Sequence, residues 1–218
     1  MSVAEQRRER LLRSHLYLVI EAEPAERVVP AALDGGVDLV QLREKSARDA
    51  VVLEAGRRLR GLCDEHGALL IVNDRADLAL ACGADGVHLG QDDAPVESAR
   101  QLVGGELLIG LSTHSPEQID AGLESDADYL GVGPVYETAT KPGVNPVGLE
   151  LVRDAAARGG RKPWFAIGGI DEASAPAVAE AGASRIAVVR AIRDASDPRA
   201  AARALRAAVS REEARVGG

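Results

Sequence analysis

The chain has 218 residues, 46% of them hydrophobic and 28% charged, with a formal net charge of −8. That length can bury a substantial core within one domain. The acidic balance and 2% aromatic content exclude a nucleic-acid binder, which needs a basic field and stacking platforms. Cys63 and Cys82 stand in no metal-ligand spacing, so the expectation is a reduced, cytoplasmic protein without a disulfide scaffold.

In chain order, MSVAEQRRERLLRS (1–14) reads as a polar leading helix. The apolar LYLVI behind it is too short for a signal core or a membrane span. Short aliphatic runs then recur: HLYLVI, VDLVQL, LLIVND, GVHLG, LLIGLS, YLGVGPV, WFAIGGI and RIAVV. Between them, segments such as 46–66, 115–125, 147–159 and 171–181 have helical character. Strands alternating with helices imply βαβ units and a parallel sheet. The strand count predicts an α/β fold, a single-domain (β/α)₈ TIM barrel over 15–212, followed by a solvated tail at 213–218. A faint repeat (DGGVDLV, CGADGVHL, SDADYLGV, AGASRIAV) precedes strands 2, 4, 6 and 8, where Gly or Asp can end a helix in a left-handed turn.

The polar residues that close these strands carry the chemistry, because barrel active sites sit at the C-terminal ends of the strands. In VDLVQLREKSARD, alternation puts Gln41, Arg43 and Lys45 on one face and Leu42 and Glu44 on the other. Strand 3 ends in Asn73 and Asp74, and strand 4 leads to His88, Gln91, Asp92 and Asp93. Strand 5 carries Ser112 and His114, and strand 6 runs into Thr138, Thr140 and Lys141. Taken singly these have plain explanations: Asn73 and Asp74 would cap a helix starting near Ala76, and a lone His88 suits a hydrogen-bonded core. Their accumulation at one rim points to a site. Arg43, Lys45 and Lys141 with Asp74 and Asp93 suit a diphosphate clamp with Mg²⁺ between the acids and the phosphate oxygens. Gly168 and Gly169, with the segment VVRAIRD, suit a second anion site in the loops after strands 7 and 8.

The pieces QLREK, VND, GVHLGQDD, GLSTH, GVGPVYETATK, FAIGGI and VVRAI, spread over residues 41 to 192, resemble the thiamine phosphate synthase (thiamine-phosphate pyrophosphorylase) family. The resemblance implies a cytoplasmic transferase of thiamine biosynthesis. Such an enzyme joins hydroxymethylpyrimidine diphosphate to thiazole phosphate and releases diphosphate, through a Mg²⁺-dependent, carbocation-like route. Carried over by position, it implies that Gln41, Arg43, Lys45, Asn73, Ser112 and Lys141 contact the pyrimidine diphosphate. It assigns Mg²⁺ to Asp74 and Asp93, and thiazole phosphate to Thr138, Thr140, Gly169, Val189 and Arg190. Arg190 departs from the serine usual at that position. YETATKPGVNP is the expected lid. The expected partners are these small molecules, with no nucleic acid and no membrane; a homo-oligomer stays open. Three other readings remain: a thiazole tautomerase using His114 as acid and base, a non-catalytic phosphate-binding regulator, and another phosphate-handling biosynthetic barrel such as an isomerase.

Overall fold

The computed structural model describes residues 1–138, 145–160 and 162–210. Eight parallel strands close into a barrel in sequence order. They are β1 Leu16–Ile20, β2 Leu39–Leu42, β3 Leu69–Asn73, β4 Gly86–Leu89, β5 Leu108–Thr113, β6 Tyr129–Val132, β7 Trp164–Ile167 and β8 Ile186–Val188. Closure comes from β8 pairing with β1, Tyr17 opposite Ala187. The expected (β/α)₈ TIM barrel is therefore the fold, with strands buried on both faces as an all-parallel sheet requires.

Alternation divides each strand between two cores. Outward residues such as Leu18, Val40, Leu70, Val87 and Leu130 meet the helices. Inward residues Tyr17, Leu39, Leu69, Ile71, Leu108, Tyr129 and Phe165 fill the barrel. Three of the chain's few aromatic rings sit in that interior, with Tyr17, Tyr129 and Phe165 packed edge to face at 5.3–6.0 Å.

The helical expectations shorten at their ends. The segment 46–66 is helical as α3 (Asp49–His66), 115–125 as α6 (Pro116–Glu124), 147–159 as α7 (Gly148–Arg158) and 171–181 only as α8 (Ala175–Glu180). Cys63 lies within α3, whereas Cys82 falls just past the end of α4 (Ala76–Ala81) as its C-cap. Both cysteines are free and buried. None of the described helices is long and apolar enough to cross a membrane. The tail expected at 213–218 lies outside the described residues.

The repeat before the even strands does more than end helices. Gly36, Gly83 and Gly182 take positive φ, as the turn requires. The aspartate that follows in three of the four copies turns back to the preceding odd strand. Asp38 accepts from the N–H groups of His15 and Leu16, Asp85 from Leu70, and Asp128 from Ile109. Each is also paired with arginine: Asp38 with Arg206, Asp85 with Arg7 and Arg60, Asp128 with Arg8 and Arg100. Arg7 and Arg8 belong to α1 (Val3–Leu12), so these pairs dock that helix across the N-terminal mouth. There Leu11 joins the interior cluster as a plug. The polar leading segment is thus a barrel floor, opposite to the strand ends that carry the site.

Candidate active site

A cavity of about 370 Å³ opens at the C-terminal ends of the strands. Gln41, Arg43 and Lys45 all line it, while Glu44 on the other face accepts a hydrogen bond from the N–H of Ala22 at 2.6 Å. Polar residues can thus end a core strand without conflict: one set enters the cavity, and the other ties β2 to the start of α2 (Ala22–Asp34). Neither Arg43 nor Lys45 has a carboxylate ion-pair partner among the described residues, which leaves both charges for a ligand.

The acids come from β3 and the loop after β4. Asn73 is buried at the cavity wall. Asp74 holds φ 62, the one described non-glycine residue at positive φ. The N–H of Arg75 bonds back to the Asn73 carbonyl at 2.7 Å, which makes Asp74 the centre of a γ-turn. Such a conformation costs on the order of 1 kcal/mol and aims the side chain off the normal strand direction. Neither Asn73 nor Asp74 caps α4, whose N-cap is Arg75 without a side-chain bond, so the capping explanation does not apply. Asp93 likewise leaves α5 (Val96–Val103) uncapped and accepts from the Gly90 N–H at 2.6 Å. Burial, then the hydrogen bond and charge of Asp93, push the Asp74 carboxyl up from 3.8 to about 6, against Lys45 and Arg43. Asp92 is exposed and does not line the cavity.

Beneath these groups lies a buried polar chain that the sequence pattern did not reveal. Gln41 Nε2 donates to Tyr17 Oη at 2.6 Å, and Tyr17 Oη lies 2.9 Å from Tyr129 Oη. His88 Nδ1 is 3.2 Å from Tyr129 Oη, and His88 Nε2 is 2.9 Å from Ser112 Oγ. The bland reading of His88 holds in part, since it is 8% exposed and hydrogen-bonded, yet it also lines the cavity beside Ser112. The signal in the sequence was the inward alternation of Tyr17, His88, Gly110, Ser112 and Tyr129, whose mutual contacts only closure of the barrel creates.

Across the mouth, Gly168 (φ 106) and Gly169 (φ 65) line the same cavity with Thr138, Val189 and Arg190. A Cβ on Gly169 would meet the Glu137 carbonyl oxygen at 2.6 Å, so glycine is what lets these two loops touch. His114 also lines the cavity; its Nδ1 bonds the Gly133 carbonyl and its amide N–H donates to Gln118 at 2.7 Å. Thr140 and Lys141, with most of the expected lid YETATKPGVNP, lie outside the described residues. Gln91 is exposed, bonds the Ser112 carbonyl at 2.6 Å and, like Asp92, does not line the cavity; the other described residues expected at the site do.

The chain is 56% identical over 192 residues to a thiamine-phosphate synthase of Gloeobacter violaceus, covering 88% of this chain and 56% of that protein. It therefore spans about half the length of that relative. A thiamine-phosphate synthase of Mycobacterium sp. strain KMS is 52% identical over 212 residues, with 91% of this chain and 94% of that one covered. The solved structure of a thiamine phosphate pyrophosphorylase from Pyrococcus furiosus superposes with a TM-score of 0.83 at 37% identity, covering 94% of this chain and 98% of that one. The family model for thiamine monophosphate synthase matches residues 16–192, the stretch that runs from β1 into the short helix Arg190–Arg193 beyond β8 and holds every described residue of the cavity except Asp194, and the chain belongs to that family.

Proposed function

We propose that this chain is a transferase that joins hydroxymethylpyrimidine diphosphate to thiazole phosphate, giving thiamine phosphate and diphosphate. The observation that carries the reading is one cavity with two cations that form no ion pair among the described residues and a carboxylate pair on one wall and a left-handed glycine pair on the other. Two anionic substrates fit the two walls, and neither wall alone explains the other.

The diphosphate is held by Arg43 and Lys45, Arg through two oxygens at once. Asp74 and Asp93 fit Mg²⁺. Two carboxylates close enough to hydrogen-bond repel when both ionise, and a hard divalent ion bound through one or two carboxylates plus phosphate oxygens relieves that repulsion. When bound, the ion supplies charge neutralisation of the leaving diphosphate. The C–O bond to the pyrimidine methylene breaks with its electron pair going to diphosphate, and the thiazole nitrogen lone pair forms the new C–N bond. No side chain is needed as nucleophile. Arg43 and Lys45 stabilise charge building on the departing oxygens. The Gly168–Gly169 loop, Thr138 and the Val189–Arg190 backbone hold the thiazole phosphate so that its nitrogen is in line. A tautomerase reading gives no use to the strand 2 cations or the acid pair. A cytoplasmic location goes with this reading and with the two free buried cysteines.

The test is diphosphate release and thiamine phosphate formation with both substrates, with and without Mg²⁺. Metal-dependent release matched one to one by product is expected. Absence of release with thiazole phosphate still bound would sink the synthase reading in favour of the tautomerase or the regulator.

A further inference from the structure

The buried chain Gln41–Tyr17–Tyr129–His88–Ser112 has a direction, and that direction sets what the cavity floor offers a ligand. An amide nitrogen can only donate, so Tyr17 Oη accepts from Gln41 Nε2 at 2.6 Å. Burial pushes both phenols well above their ordinary range, so each keeps its one hydrogen. Tyr17 gives its hydrogen to Tyr129 at 2.9 Å, and Tyr129 gives its own to His88 Nδ1 at 3.2 Å. An imidazole that accepts at Nδ1 carries its hydrogen on Nε2, and that hydrogen is donated to Ser112 Oγ at 2.9 Å. Gln41 and Ser112, the two ends of the chain, both line the cavity, and in this order the groups left without a partner within the chain are the Gln41 amide oxygen, an acceptor, and the Ser112 hydroxyl hydrogen, a donor.

The surroundings hold this order in place. A Cβ on Gly110 would lie 2.2 Å from Tyr129 Cζ and 2.4 Å from His88 Nδ1, so the tyrosine and histidine can meet only because β5 has glycine there. The His88 and Tyr129 rings are 5.5 Å apart, and Phe165 closes the other side of Tyr129 at 5.8 Å. Tyr17, Tyr129 and Gln41 are each at most 3% exposed, so water does not compete for these bonds.

We propose that Tyr17 and Tyr129 lock His88 in its Nε2–H form, making His88 a positioning residue that turns Ser112 into a donor, and that the resulting donor–acceptor floor selects a heterocycle with an exocyclic amine beside a bare ring nitrogen. A 4-aminopyrimidine edge presents that complement, whereas the 4-oxo edge, with N–H beside C=O, presents its inverse. The ligand half of this inference rests on the pyrimidine reading of the preceding subsection; the tautomer half does not.

The test uses the full chain labelled with ¹⁵N-histidine. His88→Gln assigns the His88 signals among the chain's four histidines. Wild-type protein is expected to show a neutral His88 protonated on Nε2, and Tyr129→Phe, which keeps the ring, should lose that preference. In parallel, the monophosphates of the 4-amino and 4-oxo pyrimidines are titrated as unreactive ligands. The amino form should bind about tenfold tighter to wild type, a margin on the scale of one well-made hydrogen bond, and most of it should vanish in Tyr129→Phe. Should Tyr129→Phe fail to fold, Gly110→Ala displaces the same contact and is read in the same way. An Nδ1–H His88 in wild type means that the chain runs in reverse, and it overturns the proposal. So does a folded Tyr129→Phe that keeps both the tautomer and the amino preference. A chain that makes no thiamine phosphate but keeps the tautomer would fault the functional reading and leave the His88 lock standing.

Discussion

Asp74 and Asp93 bring their carboxyl groups together at the cavity wall, closely enough that Asp93 raises the Asp74 carboxyl, and Asp74 reaches that position from a left-handed backbone. The pair makes metal-free stability depend on pH. The folded Asp74 carboxyl titrates at about 6 against an ordinary 3.8, so the folded state favours the proton. Its stabilising contribution is complete below 3.8 and disappears as pH rises through about 6. Thermal unfolding without metal should therefore show Tm declining across that window from this pair, and Asp93→Asn should flatten the decline. Mg²⁺ should raise Tm more at pH 7.5 than at pH 5, because it binds the ionised pair. Equal Mg²⁺ shifts at both pH values would remove these two acids from the metal site.

The strand 2 cations give a kinetic prediction. Lys45 is exposed and Arg43 only partly buried, and neither has a carboxylate partner among the described residues, so Arg43→Gln and Lys45→Ala should leave Tm unchanged. Each should lower kcat by about 10²–10³, the usual loss when one preorganised charge contact to a transition state is removed. Lys141, assigned by its motif to the same clamp, should behave alike. Steady-state assays alongside melting curves separate the two effects, and a normal kcat in the folded Lys45→Ala protein would dissolve the clamp.

Gly169 tests the other wall. Alanine there meets a left-handed φ of 65 and the Glu137 carbonyl at 2.6 Å. Stability should fall by ~1–2 kcal/mol. The displaced 136–138 loop carries Thr138, so kcat/KM for thiazole phosphate should drop on the order of 10²-fold. KM for the pyrimidine diphosphate should stay put, and a loss shared equally by both substrates would contradict the division of the cavity.

Arg190 lines the cavity yet is exposed. Its charge is screened, so Arg190→Ser should raise KM for thiazole phosphate only about two- to fivefold, with the difference shrinking in high salt. A KM that is unaffected at low salt would mean that only the backbone of this residue serves the site.

The rim of the barrel was legible in the sequence and its interior was not, for a physical reason. Gln41, Arg43, Lys45 and Asp74 declare themselves because charge at the end of an apolar strand is locally costly, and period-two alternation tells which of them share a face. Tyr17 and Tyr129 sit in ordinary aliphatic runs 112 positions apart. Their contact depends on closure of eight strands, and no local pattern encodes it. The function of Asp38, Asp85 and Asp128 was half visible. Their spacing marked a repeat, but each partner arginine lies far away in sequence or on α1, which composition marks only as polar.

That floor yields a prediction in which stability and activity separate. Asp85 is buried, accepts from the Leu70 N–H at 2.9 Å, and faces both Arg7 of α1 and Arg60 of α3. Removing it in Asp85→Ala takes the buried carboxylate from two partly buried guanidinium groups, leaving Arg60 with Asp64 and Arg7 with the Glu106 carbonyl, and orphans one strand N–H; breaking a buried pair from one side costs about 3 kcal/mol. For a chain of this size that amounts to a Tm lower by roughly 6–12 °C. The site stands at the opposite end of the strands, so kcat and both KM values measured well below the new Tm should match wild type. Asp85→Asn keeps an acceptor for Leu70 but loses the charge, and it should fall between the two in stability. If instead catalysis fell in step with Tm, the barrel floor and the active-site rim would be one cooperative unit, and the separation of a stabilising end from a catalytic end would fail for this barrel.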